Sequence, residues 1–582
     1  MTHICYIYIF SYRLLRDVEI TFDHHYSFQM VEGTLHIDKS DALPNNYFGK
    51  GIYSVTSIVG NNGAGKTSSL RYVMESVVEG YHIQEMDGIV VYENSGRLTV
   101  YQPSVHNRPK VKIESSVTFS QTNRLHSIPV MYYSGHFSPV SDRNDIMNSE
   151  LQGSYIASDQ WLLVHDLLNY SNFDSIYLVG RMYSYMWAYA AQNNARICEL
   201  LMMDGLPELL TDMRLPKYIL IGRNDGGVER LANDTIRKVK VPGFKSITKD
   251  IKQNNIAKFI YSNIINLVAE KETEQEEYLA VLTQWQKNVK KGEVLDAFEI
   301  FISNIQVTDS VHMGLLSVFN VLKMLISICS YDEDSGIFYV EVEKGKQQLR
   351  DLIDELFSSH FYLTAKFFDI YYSHGLYPNT VLSSGEQEIL NLLSRLYYAI
   401  TLQPKRVGNR QSPTLLLLDE AEIGFHPEWQ RKYVNLLLQF LNKKMLVKPG
   451  IDFQLVITSH SPIILSDMPV CCVNILQRNE SGETEVRKGE PQTFGENVFN
   501  LYRRAFVMKD GLVGAFASNK IKELFEKIKR GESGKGVLKE VMMIGDERIR
   551  DYLLSEISKR DSDFIKDYYQ RKQESITEHE EN

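Results

Sequence analysis

The segment Gly60-Asn61-Asn62-Gly63-Ala64-Gly65-Lys66-Thr67 satisfies GxxxxGK[ST] at every position. Chemistry explains the residue types. Glycines let backbone N–H groups wrap an anion without Cβ clashes, and the helix that follows turns its positive end toward the same anion. Lys66 would reach terminal phosphates and the Thr67 hydroxyl would ligate Mg²⁺. A second segment, Thr414-Leu-Leu-Leu-Leu-Asp419-Glu420, is an apolar run ending in two acids. Adjacent strand residues point opposite ways, so the acids take different roles. Asp419 would hold Mg²⁺, directly or through water, and Glu420 would polarise an attacking water as general base.

Two further segments complete the set. Leu382-Ser383-Ser384-Gly385-Glu386-Gln387 precedes a run in which Ile389, Leu392, Leu393, Leu396, Tyr397 and Ile400 share one helical face. Read alone, its serines and acid describe a helix cap. Its Ser-Gly turn also offers a hydroxyl and N–H groups to an anion. Leu455-Val-Ile-Thr458-Ser459-His460-Ser461-Pro462 is another apolar strand, now ending in a histidine placed to contact a γ-phosphate.

These side chains need a scaffold that brings strand ends together. Tyr53–Val59 reads as a strand feeding the glycine loop, and the loop opens a helix, which is the grammar of a nucleotide-binding core. Ile4–Phe10, Val18–Phe22, Gly88–Tyr92, Leu98–Tyr101 and Pro129–Tyr133 read as further strands. Residues 141–335 change character: Trp161–Leu168, Tyr183–Met203, Ile256–Glu270, Glu276–Trp285 and Val311–Cys329 carry helix-spaced apolar residues, without a sustained heptad. The organisation expected is an α/β head in two lobes, 1–140 and 336–475, with a helical insert at 141–335 and an α-rich C-terminal extension at 476–582.

Bulk properties narrow the class. A chain of 582 residues exceeds one compact core and predicts about three or four units. Its formal net charge of -10 argues against a surface coated for non-specific nucleic-acid binding, though not against a local basic groove. Arg237–Lys249 is the best basic stretch, and a solvated loop is its simpler reading. The five cysteines form no CxxC pair and no zinc-spaced Cys/His set, so reduced thiols in a cytoplasmic protein are expected. No apolar run is read as reaching the roughly 18–20 residues of a membrane helix, so no membrane partner is expected.

The order glycine loop, Ser-Ser-Gly-Glu-Gln, Asp-Glu strand and strand-end histidine resembles the ABC ATPase superfamily. Asp419-Glu-Ala-Glu-Ile-Gly-Phe-His426-Pro427-Glu-Trp-Gln430 is similar to the SMC/RecF-like and overcoming-lysogenization-defect branch, over about residues 1–75 and 336–475. That resemblance implies an ABC-type head (a mixed sheet with flanking helices) that binds and hydrolyses ATP with Mg²⁺. It also implies that Ser384 and Gly385 contact the γ-phosphate held by a second head, in a head-to-head dimer with two buried nucleotides. His426 and Pro427 would lie in the dimer-contacting loop. The family's Mg²⁺-contacting glutamine has no clear counterpart; Gln121 and the Tyr132–Pro139 turn are the candidates.

A Toprim nuclease domain would need a glutamate and an Asp-x-Asp beyond residue 475. Val541–Glu547 ends in acids but lacks that partner motif, and a helix start or solvated loop is its simpler reading. The C-terminal wording is loosely similar to Septu-type and retron-associated anti-phage ATPases, which work beside a separate HNH nuclease. The expectation is a sensor or scaffold ATPase for a separate effector nuclease. The alternative is a DNA-repair or DNA-organising ATPase that clamps DNA itself.

Overall fold

The computed structural model describes all residues except 1, 41, 78–86, 104–109, 124–126, 136–153, 157–180, 212, 224–253, 271, 289–293, 357–367, 378–379, 403–412, 443–451, 480, 488–491, 505–512, 533 and 560–582. Trp161–Leu168, Pro139 and the whole of Arg237–Lys249 fall outside the described residues. The described chain divides into two compact units, Met1–Asn497 and Val498–Asn582.

The first unit is built on a twelve-stranded sheet. One half is parallel, in the order Ser154–Ile156, Val130–Ser134, Thr414–Asp419, Phe453–Ser459, Ile52–Gly60 and Val473–Arg478. The rest is mixed and runs through Thr484–Arg487, Leu15–Thr21, Thr2–Tyr12, Asp87–Asn94, Arg97–Tyr101 and Phe119–Thr122. Thr484–Arg487, which the sequence reading assigned to the C-terminal extension, is therefore a strand of the central sheet.

Burial explains why the parallel strands are unbroken apolar runs. Leu416 and Leu418 join one core, while Leu415 and Leu417 join another on the opposite face. A strand covered on both sides has no polar face to alternate with. The helix Lys66–Glu75 covers one face through Leu70 and Val73. The helices Arg181–Leu201, Ser384–Leu402 and Pro427–Asn442 contribute Ile197, Leu393 and Leu437 to the core on the other.

The described residues between the two lobes include the helices Asn255–Glu270, Gln275–Asn288, Val294–Asn304 and Asp309–Ile328, besides Arg181–Leu201. The region is not purely helical. Tyr218–Arg223 and Ser330–Asp332 enter a four-stranded antiparallel sheet with Ile337–Glu341 and Phe368–Ser373. The expectation that no apolar run reaches membrane length also needs correcting: Asp309–Ile328, at mean hydropathy 1.7, is long and apolar enough to cross a membrane. One of its faces, including Val311, Leu315, Val318 and Leu322, packs into the protein core.

The second unit gathers the helices Ala515–Lys529, Lys535–Met542 and Glu547–Ser558 around Leu524, Leu538, Val541 and Leu553. Asp546 caps the last of these, accepting from the N–H groups of Arg548 and Ile549. The acids near Val541–Glu547 thus sit at a helix start.

Candidate nucleotide site

Four parallel strands end side by side, and each delivers one part of the site. Ser134 pairs with Asp419, Asp419 with Thr458, and Ser459 with Val59. The carboxyl ends of Val130–Ser134, Thr414–Asp419, Phe453–Ser459 and Ile52–Gly60 therefore open at one level. Ligands of open α/β sheets bind at such ends.

The glycine loop runs from Gly60 into the helix beginning at Lys66. Asn61, Asn62 and Gly63 are exposed and Ala64 is buried. Gly65 adopts φ 96°, and a Cβ there would stand 2.7 Å from Leu15 Cδ2. A Cβ on Gly60 would meet the Leu476 carbonyl oxygen at 2.2 Å. Both positions need glycine for backbone shape and close approach. Two side chains that the motif does not contain hold the loop from outside. Arg478 Nε donates to the Gly63 carbonyl at 2.8 Å, and the Thr484 hydroxyl donates to the Ala64 carbonyl at 2.9 Å.

Lys66 is buried at 4% exposure. Its Nζ donates to the Gly60 carbonyl at 3.2 Å, and lies 3.4 Å from Glu420 Oε1 and 2.6 Å from His460 Nε2. Burial pulls the Lys66 ammonium below its ordinary range, and the Glu420 carboxylate offsets part of that. His460 Nε2 is also 2.7 Å from Glu420 Oε1. Three motifs, the first of them more than three hundred residues from the other two, thus meet at one point.

Asp419 is 2% exposed and fully engaged. Its Oδ1 accepts from Thr458 Oγ1 at 2.6 Å and from Thr67 Oγ1 at 3.4 Å, and its Oδ2 accepts from the Tyr132 hydroxyl at 3.0 Å. Burial, then the Asp419 charge, pushes the Tyr132 phenol well above its usual range, so it serves as a donor. The neighbouring acid differs. Glu420 has φ 49°, in the left-handed region, and its N–H donates to Thr458 Oγ1 at 3.1 Å. That turn costs about 1–3 kcal/mol in a non-glycine residue, and it coincides with a carboxylate aimed at Lys66 and His460. A cradle that only glycine fits, a buried lysine, and an exposed Thr67 hydroxyl beside a buried aspartate suit a nucleoside triphosphate and its divalent metal. Thr67 and Asp419 are the residues that would hold the metal.

Ser384 and Gly385 are placed elsewhere. Ser384 is exposed at the start of its helix. Ser383 and Glu386 form a capping box: the Ser383 N–H and hydroxyl donate to Glu386 Oε2 at 2.8 and 2.7 Å. A Cβ on Gly385 would lie 3.3 Å from Trp429 Cδ1, so this turn packs beside the His426–Trp429 loop. His426 and Pro427 are exposed. Of the two glutamine candidates, Gln121 is in the far edge strand, Phe119–Thr122, whereas Tyr132 touches Asp419.

One buried acid was not singled out from sequence. Glu422, 4% exposed, accepts from the Ser459 hydroxyl, and burial pushes its carboxyl up to about 7. Ser459 Oγ also accepts from the Ser461 N–H at 2.8 Å, and Ser461 Oγ donates to Gln430 Oε1 at 2.8 Å. Gln430 Nε2 returns to the Phe425 carbonyl at 3.1 Å. This chain of bonds ties the loop after Glu420 to the loop carrying His460.

Residues 290–466 match the family model described as "AAA domain, putative AbiEii toxin, Type IV TA system". The match includes Ser384, Asp419, Glu420 and His460, and begins after the glycine loop. A stretch of 128 residues is 27% identical to Protein ea59 of Escherichia phage lambda, covering 22% of this chain and 21% of that protein. The chain's match thus spans about a fifth of that relative's length. Taken with the glycine loop at the end of the neighbouring strand, these findings support a P-loop ATPase domain of the AAA/ABC type.

Proposed function

We propose that the protein binds and hydrolyses ATP at the Lys66–Asp419–Glu420–His460 centre, and that two copies close head to head over the nucleotide. The observation that carries this reading is the meeting of Lys66 Nζ, Glu420 Oε1 and His460 Nε2 within 3.4 Å of one another. Lys66 binds the terminal phosphates, Glu420 takes the proton of the attacking water, and His460 orients that carboxylate. Thr67 and Asp419 would hold a divalent metal, which would supply charge neutralisation at the phosphates. Ser384, exposed and held by its own capping turn, is left free to meet a second copy.

The wider role we infer is that of a sensor or scaffold ATPase in an anti-phage defence complex that controls a separate effector nuclease. The toxin–antitoxin wording of the matched family description supports this reading. Turnover tests the chemistry. Wild type is expected to release phosphate from ATP, Lys66→Ala to lose nucleotide binding, and Glu420→Gln to bind nucleotide while turning over about 10²–10⁴ times more slowly. Equal phosphate release by wild type and Glu420→Gln would remove Glu420 from the role of base.

A further inference from the structure

At the other end of the strand that feeds the glycine loop, four side chains of different chemistry converge in the core. His3, Cys5 and Asp23 are each at most 1% exposed, and Glu93 is half-buried. His3 Nε2 lies 3.1 Å from Asp23 Oδ2, 3.5 Å from Glu93 Oε2 and 3.5 Å from Cys5 Sγ. Cys5 Sγ lies 3.5 Å from Asp23 Oδ2. All four donor atoms fall within 4.8 Å of one another.

We propose that His3, Cys5, Asp23 and Glu93 form a closed four-donor site for a divalent transition metal of the zinc type, separate from the nucleotide site. The spacing supports this. An ion with tetrahedral bonds of about 2.0–2.3 Å sets its donor atoms about 3.3–3.8 Å apart, and the four distances above are close to that edge length. The donor set selects the ion class. A thiolate and an imidazole favour zinc-like ions over magnesium or calcium, and the thiolate and two carboxylates supply negative charge that a dication largely offsets.

The backbone is shaped to bring the donors together. His3 stands opposite Glu93 across two antiparallel strands, and a register shift between Ile4 and Tyr6 marks a bulge at Cys5. Bulges re-aim side chains. The Cys5 carbonyl accepts from the N–H groups of both Phe22 and Asp23, which fixes Asp23 beside it. A supporting layer surrounds the donors. The His25 ring and N–H both bond Asp23 Oδ1 at 2.8 Å, leaving Oδ2 for the cluster. The Tyr53 hydroxyl donates toward Asp23 Oδ2 at 3.4 Å and Glu93 Oε2 at 3.3 Å. Partners of this kind orient metal ligands. Among the described residues His3 Nδ1 has no hydrogen-bond partner, so the polar contacts that orient the ring there are those at Nε2.

Cobalt(II) is the probe. Full-length protein without a polyhistidine tag, stripped with chelator and reloaded, is expected to take up cobalt stoichiometrically and show a thiolate-to-cobalt charge-transfer band. The band should vanish in Cys5→Ser. It should persist when Cys471 and Cys472, which neighbour His24, are both changed to serine. If Cys5→Ser does not fold, Glu93→Gln should weaken cobalt affinity about 10–100-fold. Absence of the band in wild type, its survival in Cys5→Ser, or unchanged affinity in Glu93→Gln would each overturn the site in favour of a metal-free hydrogen-bond network.

Discussion

His460 Nε2 stands 2.7 Å from Glu420 Oε1 and 2.6 Å from Lys66 Nζ. One ring nitrogen can accept from the ammonium or donate to the carboxylate, not both at once. A phosphate drawing Lys66 away would leave His460 to hold Glu420 alone, which couples nucleotide arrival to the orientation of the base. His460→Ala is therefore expected to retain nucleotide but lose about 10²–10³ in turnover. Nucleotide binding by equilibrium titration, beside phosphate release, separates the two effects; loss of binding with turnover per bound nucleotide intact would contradict this coupling.

Thr458 links the two acids, donating to Asp419 Oδ1 and accepting from the Glu420 N–H. Thr458→Val keeps the shape and removes both bonds. It should destabilise the protein by about 1.5–3 kcal/mol, because a buried carboxylate loses the shortest of its three donors, and Thr458→Ser should recover most of that. Denaturant unfolding of the three proteins checks this; equal midpoints would contradict it.

Glu422 makes stability depend on pH. Burial raises its carboxyl from an ordinary 4.5 to about 7 in the folded protein. The folded state therefore holds the proton more tightly. Its contribution is fully present below pH 4.5, declines between 4.5 and about 7, and is lost above. The full loss is roughly 3 kcal/mol. Glu422→Gln stays neutral and can still accept from Ser459. Its melting temperature should match wild type near pH 4.5 and exceed it at pH 8. A variant less stable than wild type at pH 8 would contradict this.

The exposed Ser384 allows a mixing test. Lys66→Ala and Ser384→Arg should each be inactive alone. Mixed in equal amounts they should recover roughly a quarter of wild-type turnover, since about half the dimers are mixed and each carries one intact composite site. No recovery, with both variants folded and pairing, would mean that Ser384 does not act across a dimer.

The parts of the site that were legible in sequence are those written contiguously. Gly60–Thr67, Asp419-Glu420 and His460 each close a strand, so their chemistry and position are read together. Thr458 was on the page as part of a strand, but its role depends on register: it faces Asp419 only because the two strands pair in parallel. Arg478 and Thr484 brace the glycine loop from strands more than four hundred residues away, and no local pattern carries that. Tyr218–Arg223 escaped notice because its partners, Ile337–Glu341 and Phe368–Ser373, lie beyond four helices in sequence. The cluster of His3, Cys5, Asp23 and Glu93 was invisible to a search for zinc spacing, because a bulge and two strand pairings assemble it. Helix-spaced stretches such as Val311–Cys329 were readable because burial of one face writes a period of 3.6.

The most direct test of the central claim is mass in solution with and without ATP, for wild type and Glu420→Gln. Removing the base should leave ATP bound and hold the heads closed. The account predicts a stable, ATP-loaded oligomer in Glu420→Gln that is at least twice the ATP-free mass or, where heads are already paired, retains nucleotide that Ser384→Arg abolishes. A Glu420→Gln protein that binds ATP with no gain in mass, and whose retention of nucleotide is indifferent to Ser384→Arg, would contradict closure of two copies over the nucleotide.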